Sequence, residues 1–142
     1  MKPINTVKFV FPSRSVNESF ARSAVASFAA QADPTLDQLA DIKTAVSEAV
    51  TNCIVHGYRN TIGMITITVS FYEGNELRVV VADRGCGIED VQQAMQPLFT
   101  TGGEERAGLG FAVMESFMDQ IKVSSKLGKG TRVTLIKKLG SR

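Results

Sequence analysis

Cysteine is scarce in this chain. Cys53 and Cys86 are the only two in 142 residues, and a single histidine accompanies them, so neither a disulfide framework nor a structural zinc site has a basis. Long apolar runs are missing as well. No stretch approaches the roughly 18 residues that a membrane-spanning helix needs, and the opening Met1-Lys2-Pro3-Ile4-Asn5 has no hydrophobic signal region. The expectation is a cytoplasmic protein that touches no membrane. Nor does one charge dominate: sixteen Lys and Arg against fourteen Asp and Glu leave +2, too little for direct nucleic-acid binding to be expected. What is present is ordinary for a folded protein. With 44% hydrophobic and 21% charged residues, disorder and a fibrous chain are both excluded. The length favours a single domain, residues 1–142, that buries roughly two-thirds of its unfolded surface. There is no internal repeat, low-complexity tract or linker.

The hydrophobic period changes along the chain. Residues 4–12 alternate around Val7, Phe9 and Phe11, as a half-buried strand does, and Pro12 ends it. Ser15-Val16-Asn17-Glu18 has capping-box spacing, and Val16, Phe20, Ala24 and Phe28 then recur at helical intervals as far as Ala32. After Asp33-Pro34, a second capping pattern, Thr35 to Gln38, precedes Leu39, Ile42, Val46, Ala49, Val50 and Cys53, with Gly57 as the stop. Strands are predicted at 63–72 and 77–83 across a turn at Glu73-Gly74-Asn75-Glu76. A short helical piece near Glu89 to Met95, a mobile loop at about 97–108, a helix from Leu109 to about Met118 and strands at 120–126 and 131–138 complete the order. This β α α β β α α β β succession suits an α+β two-layer sandwich, a mixed, mostly antiparallel sheet with helices on one face.

Three places carry chemistry. Glu48, Asn52 and His56 are spaced four apart, so they stack along one side of the second helix beside its apolar stripe. They form either a solvated flank or a polar stripe with a task, and His56 is read as complementing the helix C-terminus. The buried strand 79–82 ends in Asp83, followed by Gly85 and Gly87. Glycines there turn the chain, and they also permit the backbone to approach a flat ligand whose amine a carboxylate accepts from. Gly102-Gly103 and Gly108-Leu109-Gly110 place glycines through a loop and at an expected helix start, where free N–H groups favour phosphate. No Walker lysine motif accompanies them. Thr131 follows Gly130 in the last strand, where threonine is also an ordinary strand former.

In order and spacing these pieces resemble the GHKL superfamily of ATPases and kinases, with its Bergerat-type fold. Glu48-x3-Asn52-x3-His56-Gly57-Tyr58 corresponds to the N box, Asp83-x-Gly85-x-Gly87 to G1, Gly108-x-Gly110 to G2 and Gly130-Thr131 to G3. Within that superfamily the chain is most similar to the anti-sigma F factors of spore-forming bacteria, which are serine protein kinases. Asn5 to Phe11, Asn17 to Arg22, Glu48 to Tyr58 and Pro97-Leu98-Phe99-Thr100-Thr101 all fit that family, so the resemblance covers nearly the whole chain.

The resemblance implies ATP and Mg²⁺ as cofactors. Asn52 would be the one protein ligand to Mg²⁺, and Glu48 the base for an incoming serine hydroxyl. Asp83 would hold the adenine amine with help from Gly85, Gly87, Ile88 and Thr131. Thr100, Thr101, Gly108, Leu109 and Gly110 would belong to the ATP lid and its phosphate contacts, and Arg106 would stabilise charge on the transferred group. The implied partners are a sporulation sigma factor, held inactive, and an anti-anti-sigma protein phosphorylated on serine, with a homodimer as the assembly. Arg22 on the first helix is the candidate partner contact. The chain lacks the dimerisation and phosphoacceptor-histidine helix pair of a sensor kinase and the transducer domain of the gyrase and MutL type. The alternatives are an ATP-gated binding module without phosphotransfer and a detached ATPase subunit. From residue 120 onward there are seven Lys or Arg and no acid, a solvated hairpin face or one that steers acidic partners.

Overall fold

The computed structural model describes residues 2–95 and 104–140, with the backbone alone for 104–109. Strand β1 (Asn5–Pro12) leads to α1 (Asn17–Ala29), which tightens into a 3₁₀ turn at Ala30–Ala32 and stops where Asp33 takes φ 53°. Helix α2 (Leu36–Asn52) follows, then β2 (Met64–Tyr72), β3 (Glu76–Asp83), a single turn α3 (Val91–Ala94), α4 (Glu104–Phe117), β4 (Gln120–Lys126) and β5 (Gly130–Lys138). The element order is the one the periodicity predicts. In the β2–β3 turn, Gly74 and Asn75 adopt φ 83° and 61°, a left-handed pair that suits a tight hairpin connection.

The two predicted capping boxes fare differently. Thr35 and Gln38 cap α2 reciprocally, each side chain accepting from the other's backbone N–H. Ser15 does not cap α1. The helix starts at Asn17, whose amide donates to the Pro12 carbonyl, and the Glu18 carboxylate is drawn away to Arg22 and to Ser47 on α2. A charged partner outbids a neutral backbone N–H for a carboxylate.

The five strands form one sheet in the order β1-β2-β3-β5-β4. All four ladders are antiparallel, so the sheet is more uniform than the mixed arrangement expected. Alternation then sorts the side chains. In β3, Leu77, Val79, Val81 and Asp83 are buried beneath the helices while the residues between them are half exposed. Ile42, Val46 and Val50 of α2 meet this face together with Val25 of α1 and Phe111 and Met114 of α4, all fully buried. Each such side chain contributes about 1.5–3 kcal/mol by leaving water. One member of the basic C-terminal stretch departs from the solvated reading. Lys137 is buried on the helix side of β5, where its ammonium donates to the Phe117 carbonyl at the end of α4 and lies 3.5 Å from the Asp41 carboxylate.

Candidate functional site

The period-2 alternation of β3 carries the first site residue inward: Asp83 is the last in the buried row, at the point where the strand leaves the sheet. Its Oδ1 accepts from the Gly85 N–H at 2.8 Å and the Thr131 N–H at 3.3 Å, so two backbone donors, one in the turn after β3 and one in β5, set the carboxylate's angle. Its Oδ2 is the oxygen nearest Gly57. Cys53 packs beside it, and burial first, then the Asp83 charge, pushes that thiol well above its ordinary range.

The glycines that follow Asp83 make close backbone contacts. A Cβ on Gly85 would stand 2.2 Å from the Gly57 carbonyl oxygen, and one on Gly87, which has φ 75°, would stand 2.0 Å from the Lys126 carbonyl oxygen. Backbone bonds lock these contacts: Cys86 N–H donates to Gly57, and Gly128 N–H donates to Cys86. The glycines therefore let three protein segments interlock, and only Gly87 of the two also lines the cavity described below.

Helix α2 ends in a wider π turn, Cys53–Gly57, in which the Tyr58 N–H reaches back to the Cys53 carbonyl. His56 falls in this π turn, beyond the regular α-helical run that holds Glu48 and Asn52, and it lines the cavity together with Asn52. Tyr58 braces the turn, its hydroxyl donating to the Met64 carbonyl and accepting from the Arg84 N–H. Burial raises the phenol above its ordinary range, which keeps it a donor.

Glu48 and Asn52 remain one turn apart on α2, and both converge on Gly110 of α4. A Cβ there would lie 3.1 Å from each amide atom of Asn52 and 3.3 Å from the Glu48 Oε2. Gly110 is thus a notch that admits two polar side chains. It is not at a helix start: α4 begins at Glu104, so Gly108, Leu109 and Gly110 lie within it, and residues 104–108 are helical rather than loop. The run Glu104-Glu105-Arg106-Ala107 explains the earlier start, being strong helix formers with two acids in the first turn. Arg106 belongs to this helical backbone. Thr100 and Thr101 lie outside the described residues.

A cavity of about 610 Å³ opens between these parts, in the range of about 300–1,000 Å³ typical for small-molecule sites. Asn52, Asp83, Gly87, Ile88 and Thr131 line it, joined by apolar surface from Ala49, Val81, Phe111 and Val133. Glu48, Gly85 and Gly110 stand next to it. The Asn52 amide nitrogen is buried with no hydrogen-bond partner among the described residues, an arrangement expected of a group that awaits a ligand. Arg22 lies elsewhere, on α1, ion-paired to Glu18.

One polar residue escapes sequence reasoning. Ser125 of β4 faces Thr131 across the ladder, and its hydroxyl contacts the Ile88 N–H, the Gly130 carbonyl and the Thr131 hydroxyl at 2.8, 2.9 and 2.8 Å. A serine in a serine-lysine run carries no signal by itself, and only strand register brings it to the site.

Over residues 11–137 the chain matches the histidine kinase-like ATPase domain family. An anti-sigma F factor of Thermoanaerobacter sp. is 59% identical over 142 residues, 99% of both chains. One from Caldanaerobacter subterraneus subsp. tengcongensis is 59% identical over 96% of this chain and 95% of its own, and one from Clostridium kluyveri is 54% identical over 96% of each. Among solved structures, the RsbU and RsbW domains of Rv1364c from Mycobacterium tuberculosis share the fold, with a TM-score of 0.71 over 96% of this chain and 32% of that one at 22% identity. A histidine kinase domain from Erythrobacter litoralis gives a TM-score of 0.56 over 91% of this chain and 62% of its own, at 19% identity.

Proposed function

We propose, from the premise that this chain belongs to the histidine kinase-like ATPase domain family and within it to the anti-sigma F factors, that it binds and inhibits a sporulation sigma factor and acts as a serine protein kinase on the anti-anti-sigma protein that opposes it. The observation that carries the kinase half is the convergence of Glu48 and Asn52 on the Gly110 notch, beside a cavity that Asn52 and Asp83 both line. A binding module needs Asn52 and Asp83. It has no need of a second carboxylate at the Gly110 notch.

The roles follow from chemistry at each atom. Asp83, fixed by two backbone N–H groups, accepts from the exocyclic amine of adenine, and the apolar walls sandwich the ring. Asn52 presents a neutral amide oxygen suited to Mg²⁺, which prefers few protein ligands and keeps phosphate oxygens and waters. Mg²⁺ when bound would neutralise charge on the β- and γ-phosphates. Glu48 takes the proton from the incoming serine hydroxyl as its oxygen bonds to the γ-phosphorus and the bond to ADP breaks. Arg106, on α4, is assigned to the charge that develops on the transferred group, and Thr100 and Thr101 to the segment that covers it. Arg22 is assigned to the partner surface, and a homodimer to the functional assembly.

The test is incubation of the protein with γ-labelled ATP, the anti-anti-sigma protein and the sigma factor. Label on a serine of the anti-anti-sigma protein is the expected result. Release of free phosphate alone would make the chain an ATPase, and sigma binding without turnover would make it a nucleotide-gated inhibitor.

A further inference from the structure

Asp83, Thr131 and Ser125 are successive partners across β3, β5 and β4, one row at the edge of the cavity. Thr131 lines the cavity and Ser125 stands behind it. The Ser125 hydroxyl has one proton and two lone pairs for three contacts. Ile88 N–H fills one lone pair. The Gly130 carbonyl, at 2.9 Å, can only accept, so it takes the serine proton; otherwise two oxygens would face each other with no hydrogen between them. The remaining lone pair then accepts the Thr131 proton at 2.8 Å. Every valence of Ser125 is used, and the Thr131 hydroxyl, its proton committed backwards, has only lone pairs left for a ligand.

We infer that Ser125 is a positioning residue for nucleotide selectivity: by holding the Thr131 proton away from the cavity, it makes the Asp83–Thr131 corner an acceptor-only surface that reads an exocyclic amine and rejects a carbonyl at the same ring position. The inference rests on the adenine-nucleotide reading above. Asp83 alone repels a carbonyl, but a freely rotating Thr131 hydroxyl would donate to one and soften the rejection. Ser125 removes that option.

The experiment compares affinities for ATP and for inosine triphosphate, which carries an oxygen in place of the 6-amino group, by calorimetry on the intact chain. Wild type should favour ATP. Ser125→Ala should contract the ATP-to-inosine-triphosphate ratio by roughly 3- to 10-fold, the value of one neutral hydrogen bond, chiefly by tighter inosine triphosphate binding. Ser125→Thr, which keeps the hydroxyl, should restore the ratio. In a Thr131→Val background Ser125→Ala should leave the ratio unchanged, a result that a purely structural role would not give. Ser125→Cys, close in volume but a weak donor and acceptor, should contract the ratio in the same direction and replaces the alanine variant should that fail to fold. Equal loss of both affinities, or an unchanged ratio in the single variants, overturns the inference. Absence of nucleotide binding by wild type overturns the underlying reading instead.

Discussion

The Asp83 end of the site, a corner of the cavity, and the Glu48 end, the notch at Gly110 beside it, are built on opposite principles. At the Asp83 end, backbone meets backbone: Gly85 lies against Gly57, Gly87 against Lys126, and the carboxylate is already held by two N–H donors. At the Glu48 end, two side chains from one helix sit in a notch left by a glycine of another, and the Asn52 amide nitrogen has no partner among the described residues. The difference is one of preorganisation. The first part has its hydrogen bonds completed by folding, whereas the second leaves a buried donor unsatisfied among the described residues; under the proposed function the first would recognise a fixed shape and the second would serve a group whose charge and position change during transfer. Substitutions at the two ends should therefore separate binding from chemistry.

The largest effect is expected at the second end. Glu48→Gln keeps size and most hydrogen bonding but cannot take a proton as a carboxylate does, so single-turnover transfer from saturating Mg·ATP should fall by roughly 10²- to 10⁴-fold. Nucleotide affinity should stay within a few-fold of wild type, and sigma binding with ATP present should persist. A rate near wild type would reduce Glu48 to ordering the site.

Asp83→Asn probes the other end. The amide oxygen can keep the Gly85 and Thr131 N–H bonds, so the unfolding midpoint should hold, while the NH₂ replaces the second carboxylate oxygen and opposes the ligand amine. ATP affinity should drop by about 1.5 to 3 kcal/mol, roughly 10- to 150-fold. Calorimetry showing wild-type affinity in a folded variant would remove Asp83 from the base pocket.

Arg22→Ala should spare both ends. Its partner Glu18 retains the Ser47 hydroxyl, so the α1–α2 contact survives, and ATP binding should be unchanged. Affinity for the sigma factor or the anti-anti-sigma protein should weaken by on the order of 10-fold, as for a modest interface arginine. Unaltered binding to both proteins would confine Arg22 to the helix.

The smallest effect concerns alkaline stability of the Asp83 end. Burial raises the Cys53 thiol in the folded state, so above the ordinary thiol value of about 8.5 the unfolded chain loses a proton that the folded chain retains. Stability then falls as pH rises through that value. Cys53→Ala should show a shallower decline in denaturation midpoint between about pH 8 and 10, leaving the part due to Tyr58, whose raised value acts with the same sign at higher pH. Equal slopes in both proteins would show that the thiol makes no contribution.

The amino-acid order by itself determined the succession of elements, because the period of apolar residues switches between 2 and 3.6 where strand and helix meet, and Asp33-Pro34, Gly57 and the Gly74-Asn75 turn punctuate it. It also set apart Glu48, Asn52 and Asp83, since polar groups next to a buried stripe or ending a buried strand stand out locally. Tertiary structure decided what depends on meeting across distance. Placing β5 between β3 and β4 puts Asp83, Thr131 and Ser125 in one row, and no local pattern encodes that neighbourhood. The π turn that holds His56, the notch at Gly110 and the backbone contacts that require Gly85 and Gly87 are likewise fixed by which segments pack together. Hydrophobic periodicity specifies which face a residue shows; only the packed chain specifies what that face meets.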